Sequence, residues 1–69
     1  MHRNSCVSST VASIGYDPET LTLEVEFRSS DVYQYYGVPE IVYRQLASAE
    51  SVGRFLHVYV KGQYKYIRT

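Results

Sequence analysis

The chain is short of most residues that lock a small fold in place. It has one cysteine, no tryptophan, two phenylalanines and two prolines among 69 residues. A chain of this size is a single domain and buries only about 60% of its unfolded surface, so packing has to be efficient. Cys6 stands alone, which excludes an intramolecular disulfide and fits a reducing compartment. The opening MHRNSCVSST has no apolar stretch of signal-peptide length. No run approaches the ~20 apolar residues of a membrane span. These absences predict a soluble, cytoplasmic domain of bacterial type with no membrane partner.

Catalytic chemistry is equally sparse. His2, Cys6 and His57 lack the close-spaced pairs of a structural zinc site, and no glycine-rich phosphate loop is present. Cys6 with His57 is the one thiol–imidazole combination. Cys6 falls in an expected flexible tail over residues 1–7, ahead of a single domain over 8–69, so no ordered dyad is expected. Glu24 and Glu26 share one strand face, a pattern that on an exposed strand serves solvation. The reading is a binding domain and not an enzyme, with no metal and no cofactor.

Charge adds a restriction. The net charge is zero, which argues against a strong pull on nucleic acid. All seven acids precede residue 51, whereas Arg54, Lys61, Lys65 and Arg68 follow it with His57 and no acid. The chain is bipolar in sequence, a split that chance clustering on a solvated surface also produces.

What the chain does have is alternation and tyrosine. Leu21, Leu23, Val25 and Phe27 alternate with Thr22, Glu24, Glu26 and Arg28, the period of a strand with one dry face. Upstream, Ala12, Ile14 and Tyr16 alternate with Ser13 and Gly15. Asp17-Pro18 suits a type I turn, and a loop over Asp17–Thr20 pairs Tyr16 with Leu21, Ile14 with Leu23 and Ala12 with Val25. The next turn decides where the tyrosines of VYQYY point. A two-residue turn at Ser29-Ser30 puts Tyr33 and Tyr35 on the glutamate face. A three-residue loop over Arg28–Ser30 pairs Phe27 with Asp31 and puts both on the dry face with Val25 and Leu23. Ser-Ser suits a primed turn poorly, so the longer loop is preferred. On that register Val25 and Phe27 are both core residues.

Pro39 fits a first helical position, Glu40 suits the dipole of the first turn, and Val42, Tyr43, Leu46 and Ala47 recur at helical spacing. A helix over 39–48 is expected, with Ile41 off its stripe. Ser51 is a candidate N-cap for a second helix. The segment VGRFLHVYVKG reads two ways. Val52, Phe55, Leu56 and Tyr59 suit a helix face, while Leu56, Val58 and Val60 alternate as a strand, and β-branched residues lean toward the strand. YKYIRT closes the chain as a short strand.

These features together resemble the KTSC domain, named for the C-terminus of some lysyl-tRNA synthetases and found also as small stand-alone bacterial proteins. The resemblance rests on Ser8-Ser9, IGYD at 14–17, Leu23-x-Val25-x-Phe27, Tyr33-x-Tyr35, Val38-Pro39, Ala49-x-Ser51-x-Gly53 and the tyrosine-rich end. It spans about residues 7–68. Where related chains often carry glycine in the second hairpin turn, this chain has Ser30. Related chains tend to be polar where Val58 stands, so the resemblance implies a helix over 51–61. The expected fold is α+β: an antiparallel meander of three strands, two short helices packed on one face, and a terminal strand. The resemblance implies RNA as a partner only through the synthetase connection.

The eight tyrosines have two readings. Tyr16, Tyr33, Tyr35 and Tyr59 supply core bulk in a chain poor in other aromatics, since a tyrosine ring buries while its hydroxyl reaches water. The other reading is a platform on which bases stack, which needs exposed rings beside cations. KGQYKYIR offers both, so the candidate nucleic-acid-binding residues are Arg54, Lys61, Tyr64, Lys65, Tyr66 and Arg68. A protein-interaction or self-association module is the alternative, through the terminal strand if it lies at a sheet edge and through the off-stripe Ile41.

Overall fold

A computed structural model describes residues 2–69 and arranges five antiparallel strands in one sheet, in chain order. The strands are β1 (Arg3–Ser5), β2 (Val11–Asp17), β3 (Thr22–Phe27), β4 (Val32–Tyr35) and β5 (Tyr66–Arg68). Helix α1 spans Glu40–Ala47, and α2 spans Val52–Phe55 and runs into a wide helical turn over Leu56–Val60. The α+β class and the meander are as expected, but the sheet has a fifth strand. Residues 3–5, expected in a tail, form β1 against β2. Arg3-Asn4-Ser5 is polar and carries no apolar alternation, because an edge strand is held by backbone bonds and not by a dry face.

Gly15 marks where β1 crosses. A Cβ there would fall against the His2 carbonyl oxygen and 2.8 Å from Arg3 Cγ. Gly15→Val should therefore cost about 1–3 kcal/mol through overpacking. It should also strip hydrogen-exchange protection from the β1 amides. Full protection in the variant would show that β1 slides to make room.

The first hairpin differs from its expected register by two residues. Tyr16 pairs with Leu23 and Ile14 with Val25. Leu21 takes a φ of 56° and leaves the ladder, which moves the loop to residues 18–21. An even shift keeps Ile14, Leu23 and Val25 on the dry face, but Leu21, expected there too, is 42% exposed in the loop, and Thr22, expected on the wet face, is buried. Further back the ladder is broken by a bulge at Ala12, because Val11 pairs with Phe27 and Ser13 with Glu26. The bulge turns Val11 into the core, where it is fully buried, and takes Ala12 out of its expected pairing with Val25.

The second hairpin follows the three-residue loop. Phe27 N–H donates to Asp31 O at 2.9 Å, Val25 pairs with Tyr33 and Leu23 with Tyr35. Ser30 holds a φ of 75°, the left-handed region that glycine enters without strain. That is the physical content of the glycine preference noted for related chains.

Residues 52–60 are helical and not a strand. Ser51 Oγ caps α2 by accepting from Arg54 N–H at 3.2 Å. The wide turn closes with Lys61 N–H donating to Leu56 O at 2.9 Å, five residues back. Val52, Leu56 and Val60 are the buried residues, spaced by four, while Val58 is 52% exposed. The alternation of Leu56, Val58 and Val60 thus arises from a wide helical turn. These residues, with Leu46 of α1 and Val38, cover Ile14, Leu23, Val25 and Tyr35 on one sheet face. Phe27 lies at the rim of this core and not within it. Ile41 is off the α1 stripe and 60% exposed, as expected. Tyr59, expected at the core rim, is 58% exposed and meets the Phe55 ring at a tilt of 40°.

Candidate functional site

The two sheet faces differ in what they offer a ligand. The open face carries a polar network. Arg3 pairs with Glu24 at 3.1 Å, Gln34 Nε2 donates to Glu24 at 3.0 Å, and Ser13 Oγ donates to Glu26 at 2.9 Å. Two carboxylates facing one arginine make a poor surface for phosphates. Tyr33 and Tyr35 point the other way, and Tyr36 is tied into this polar network by donating to Gln34 Oε1 at 2.9 Å.

The helix-covered face ends in a row of rings at its β4–β5 margin. Tyr66 stacks on Tyr33 with centroids 5.3 Å apart and planes at 20°. Tyr33 meets Phe27 edge-on at 5.4 Å. Lys61 Nζ sits 5.2 Å above the Phe27 ring, a cation–π contact. Tyr66 is 56% exposed and Lys61 is exposed, while Tyr35 beneath them is buried. The wide turn over Leu56–Val60 carries the chain to Lys61, so an irregular helix end delivers the cation to the row. A cleft of about 360 Å³ opens beside Phe27 and Tyr33, walled by Thr10, Arg28, Asp31 and Lys61. Arg28 is fixed there because its guanidinium donates to the carbonyls of Ser8 and Cys6 at 3.0 and 2.9 Å.

The six candidates separate on the surface. Lys61, Tyr66 and Arg68 converge on the ring row. Arg68 lies across from Tyr33, but its guanidinium is engaged by Asp31 at 2.7 Å. The charge split of the sequence is thus closed at this point in space. Tyr64 packs partly against the core. Lys65 and Tyr64 border a second hollow that shares Tyr66 with the row. Arg54 lines a different hollow with Glu50, Phe55, Val58 and Tyr59. Phe27, Tyr33 and Asp31 belong to the site and were not among the candidates. The three-residue loop was the signal that brings them in, since it sets Tyr33 on the inner face beside Phe27.

Comparison with known proteins identifies the family. Residues 7–64 match the family model described as the KTSC domain. The chain belongs to the KTSC domain family. A KTSC domain protein from Yersinia pestis, solved by crystallography, superposes with a TM-score of 0.96 at 41% identity, covering 99% of this chain and 96% of that one. An uncharacterized protein of Stutzerimonas stutzeri is 45% identical over 69 residues, 99% of this chain and 97% of its own. A lysine–tRNA ligase of a Nostoc strain is 41% identical over 58 residues, which are 84% of this chain and 10% of the ligase. The KTSC chain therefore spans about a tenth of the ligases it matches and nearly all of the small relatives.

Elsewhere in this KTSC domain, the Cys6 thiol is pushed up by burial, which outweighs the lowering by Arg28. That keeps it protonated and a weak nucleophile at neutral pH. Its hollow is lined by Asn4, Ile14, Tyr43 and Val52, with no imidazole. Among the described residues no cluster of three or more His, Cys, Asp or Glu is placed to hold a metal ion, and no helix is long and apolar enough to cross a membrane.

Proposed function

We propose that this KTSC domain is a small non-catalytic binding module that holds single-stranded RNA weakly along the row from Tyr66 to Phe27. The observation that carries the reading is the continuity of Lys61, Phe27, Tyr33 and Tyr66: a cation and three rings in line at one sheet margin. Exposed rings accept bases of any sequence by stacking, and a neighbouring ammonium holds the phosphate. Lys65 and Tyr64 extend the surface through the adjoining hollow, whereas Arg54 lines a separate hollow and stays outside this surface. The match to part of a lysine–tRNA ligase supports a tRNA-related, cytoplasmic setting. With few cations at the row and zero net charge, affinity is modest and its salt slope shallow.

Titrating a labelled single-stranded RNA at two salt concentrations tests this. The expected slope is about −0.7 per phosphate contacted. Lys61→Gln should lower that slope by about one contact and weaken all sequences alike. Tyr66→Ala should weaken binding by about 1–3 kcal/mol and leave the slope as it is. Absence of binding at low salt would favour the second reading, a protein-interaction or self-association module. That reading has one observation in its favour: β5 is an edge strand with Tyr66 and Ile67 both more than half exposed. Sedimentation of the pure protein tests it directly.

A further inference from the structure

The cleft beside Phe27 carries opposite charges that do not neutralise each other. Lys61 and Asp31 both line it, yet among the described residues Lys61 forms no ion pair. Asp31 is held by two donors. One of its oxygens accepts from Arg68 at 2.7 Å and the other from Ser29 Oγ at 3.1 Å. A carboxylate oxygen takes more than one donor, so each keeps a lone pair for the cleft. Asp31 is thereby an oriented acceptor of two adjacent hydroxyls, and, its charge shared with Arg68, it offers a phosphate no donor. Lys61 does the reverse. The Tyr33 ring lines the same cleft, and the row of rings continues from it to Tyr66.

A ligand that satisfies all three needs a vicinal diol, a flat ring and one phosphate on the side away from the diol. We infer that the cleft takes a ribonucleotide whose ribose diol is free, with the diol on Asp31, the phosphate toward Lys61 and the base against Tyr33. The inference rests on the RNA reading for its macromolecular form. A nucleotide inside an RNA strand has its 3′-oxygen esterified, which brings a second phosphate to Asp31. The cleft therefore selects the 3′ end of a strand, and the row toward Tyr66 takes the bases that precede it. A free nucleoside 5′-monophosphate presents the same chemistry and is the other source. DNA ends lack the second hydroxyl.

The test uses two RNA hexamers labelled at the 5′ end, one ending in a 3′-hydroxyl and one in a 3′-phosphate, alongside 5′-AMP and 3′-AMP. The hydroxyl-ended hexamer should bind about tenfold tighter, the scale of hydrogen bonds to a charged acceptor. Asp31→Asn should remove most of that difference, with its amide spectrum used to confirm the fold. Equal affinity of the two hexamers for the natural chain would overturn the inference and leave the RNA reading intact, whatever the variant does. If neither hexamer binds but 5′-AMP shifts the amides of residues 28–31 and 3′-AMP does not, the diol site stands and the RNA reading falls. No response to any of the four overturns both.

Discussion

Tyr35→Ala should destabilise the domain by about 3–5 kcal/mol, the range for truncating a buried aromatic. Tyr35 is 2% exposed and is the largest of the fully buried side chains. It sits at the centre of the sheet's inner face, paired with Leu23 on one side and Tyr66 on the other. The helices over it are short and cannot follow a shrinking core, so the cavity stays. A domain of this size has total stability of about 0.05–0.15 kcal/mol per residue, so the variant should be partly or wholly unfolded at room temperature. Far-ultraviolet dichroism during a urea titration measures this. If the alanine variant does not fold at all, Tyr35→Leu, which keeps most of the volume, should fold with a smaller loss. A loss under about 1 kcal/mol in Tyr35→Ala would place the ring in solvent and contradict the hairpin register.

The hydroxyl of the same residue has a separate signature. Burial, with smaller contributions from Tyr33 and Tyr66, pushes the Tyr35 phenol up to about 12. An ordinary tyrosine ionises near 10 in an unfolded chain. Between these values the unfolded state has released its proton and the folded state has not, so the unfolded state binds fewer protons and stability falls as pH rises. The contribution is complete below about pH 10 and is lost by about pH 12. Tyr35→Phe removes the ionisation and should flatten that alkaline decline. An equally steep decline in the variant would assign it to other groups.

The parts of the fold that were legible in the sequence are those where one residue type has one reason to be present. Leu23 and Val25 alternate with glutamates because one face is dry, and Ser29-Ser30 suits a tight primed turn poorly, so the register of Tyr33 and Tyr35 followed. Val11 was not legible. It enters the core only because Ala12 bulges, and nothing in SSTVAS marks the extra residue. The strand at Arg3–Ser5 was hidden because its pairing is entirely main-chain, although Gly15 opposite it was a sign of close approach. The turn over Leu56–Val60 misled for a geometric reason. A four-residue spacing of buried positions overlaps with alternation, and β-branched residues tip the balance toward strand. The site was half legible. Lys61, Tyr66 and Arg68 are close in sequence and were found. Phe27 and Asp31 come from a hairpin some thirty residues earlier and join them only through the sheet.

That division between core and site predicts opposite outcomes for two residues that the strand pattern treats alike. Val25→Ala removes two methyl groups from a fully buried position. It should cost stability toward the lower end of about 2–5 kcal/mol, because the core is rigid and the cavity stays open. It should leave the geometry of the ring row intact in the molecules that remain folded. Phe27→Ala acts at the rim, where the ring is only partly buried and already meets solvent on the side of the cleft. Its cost in stability should be smaller than the full burial of a phenylalanine implies, since a rim position rehydrates instead of leaving a void. Its cost in binding should be larger. Phe27 is the ring beneath Lys61 and the edge partner of Tyr33, so its loss frees the ammonium and removes the end wall of the row. Urea midpoints and RNA titrations on both variants measure the four quantities together. A Phe27→Ala variant that loses as much stability as Val25→Ala and binds RNA like the natural chain would move Phe27 into the core and take the cleft out of the site.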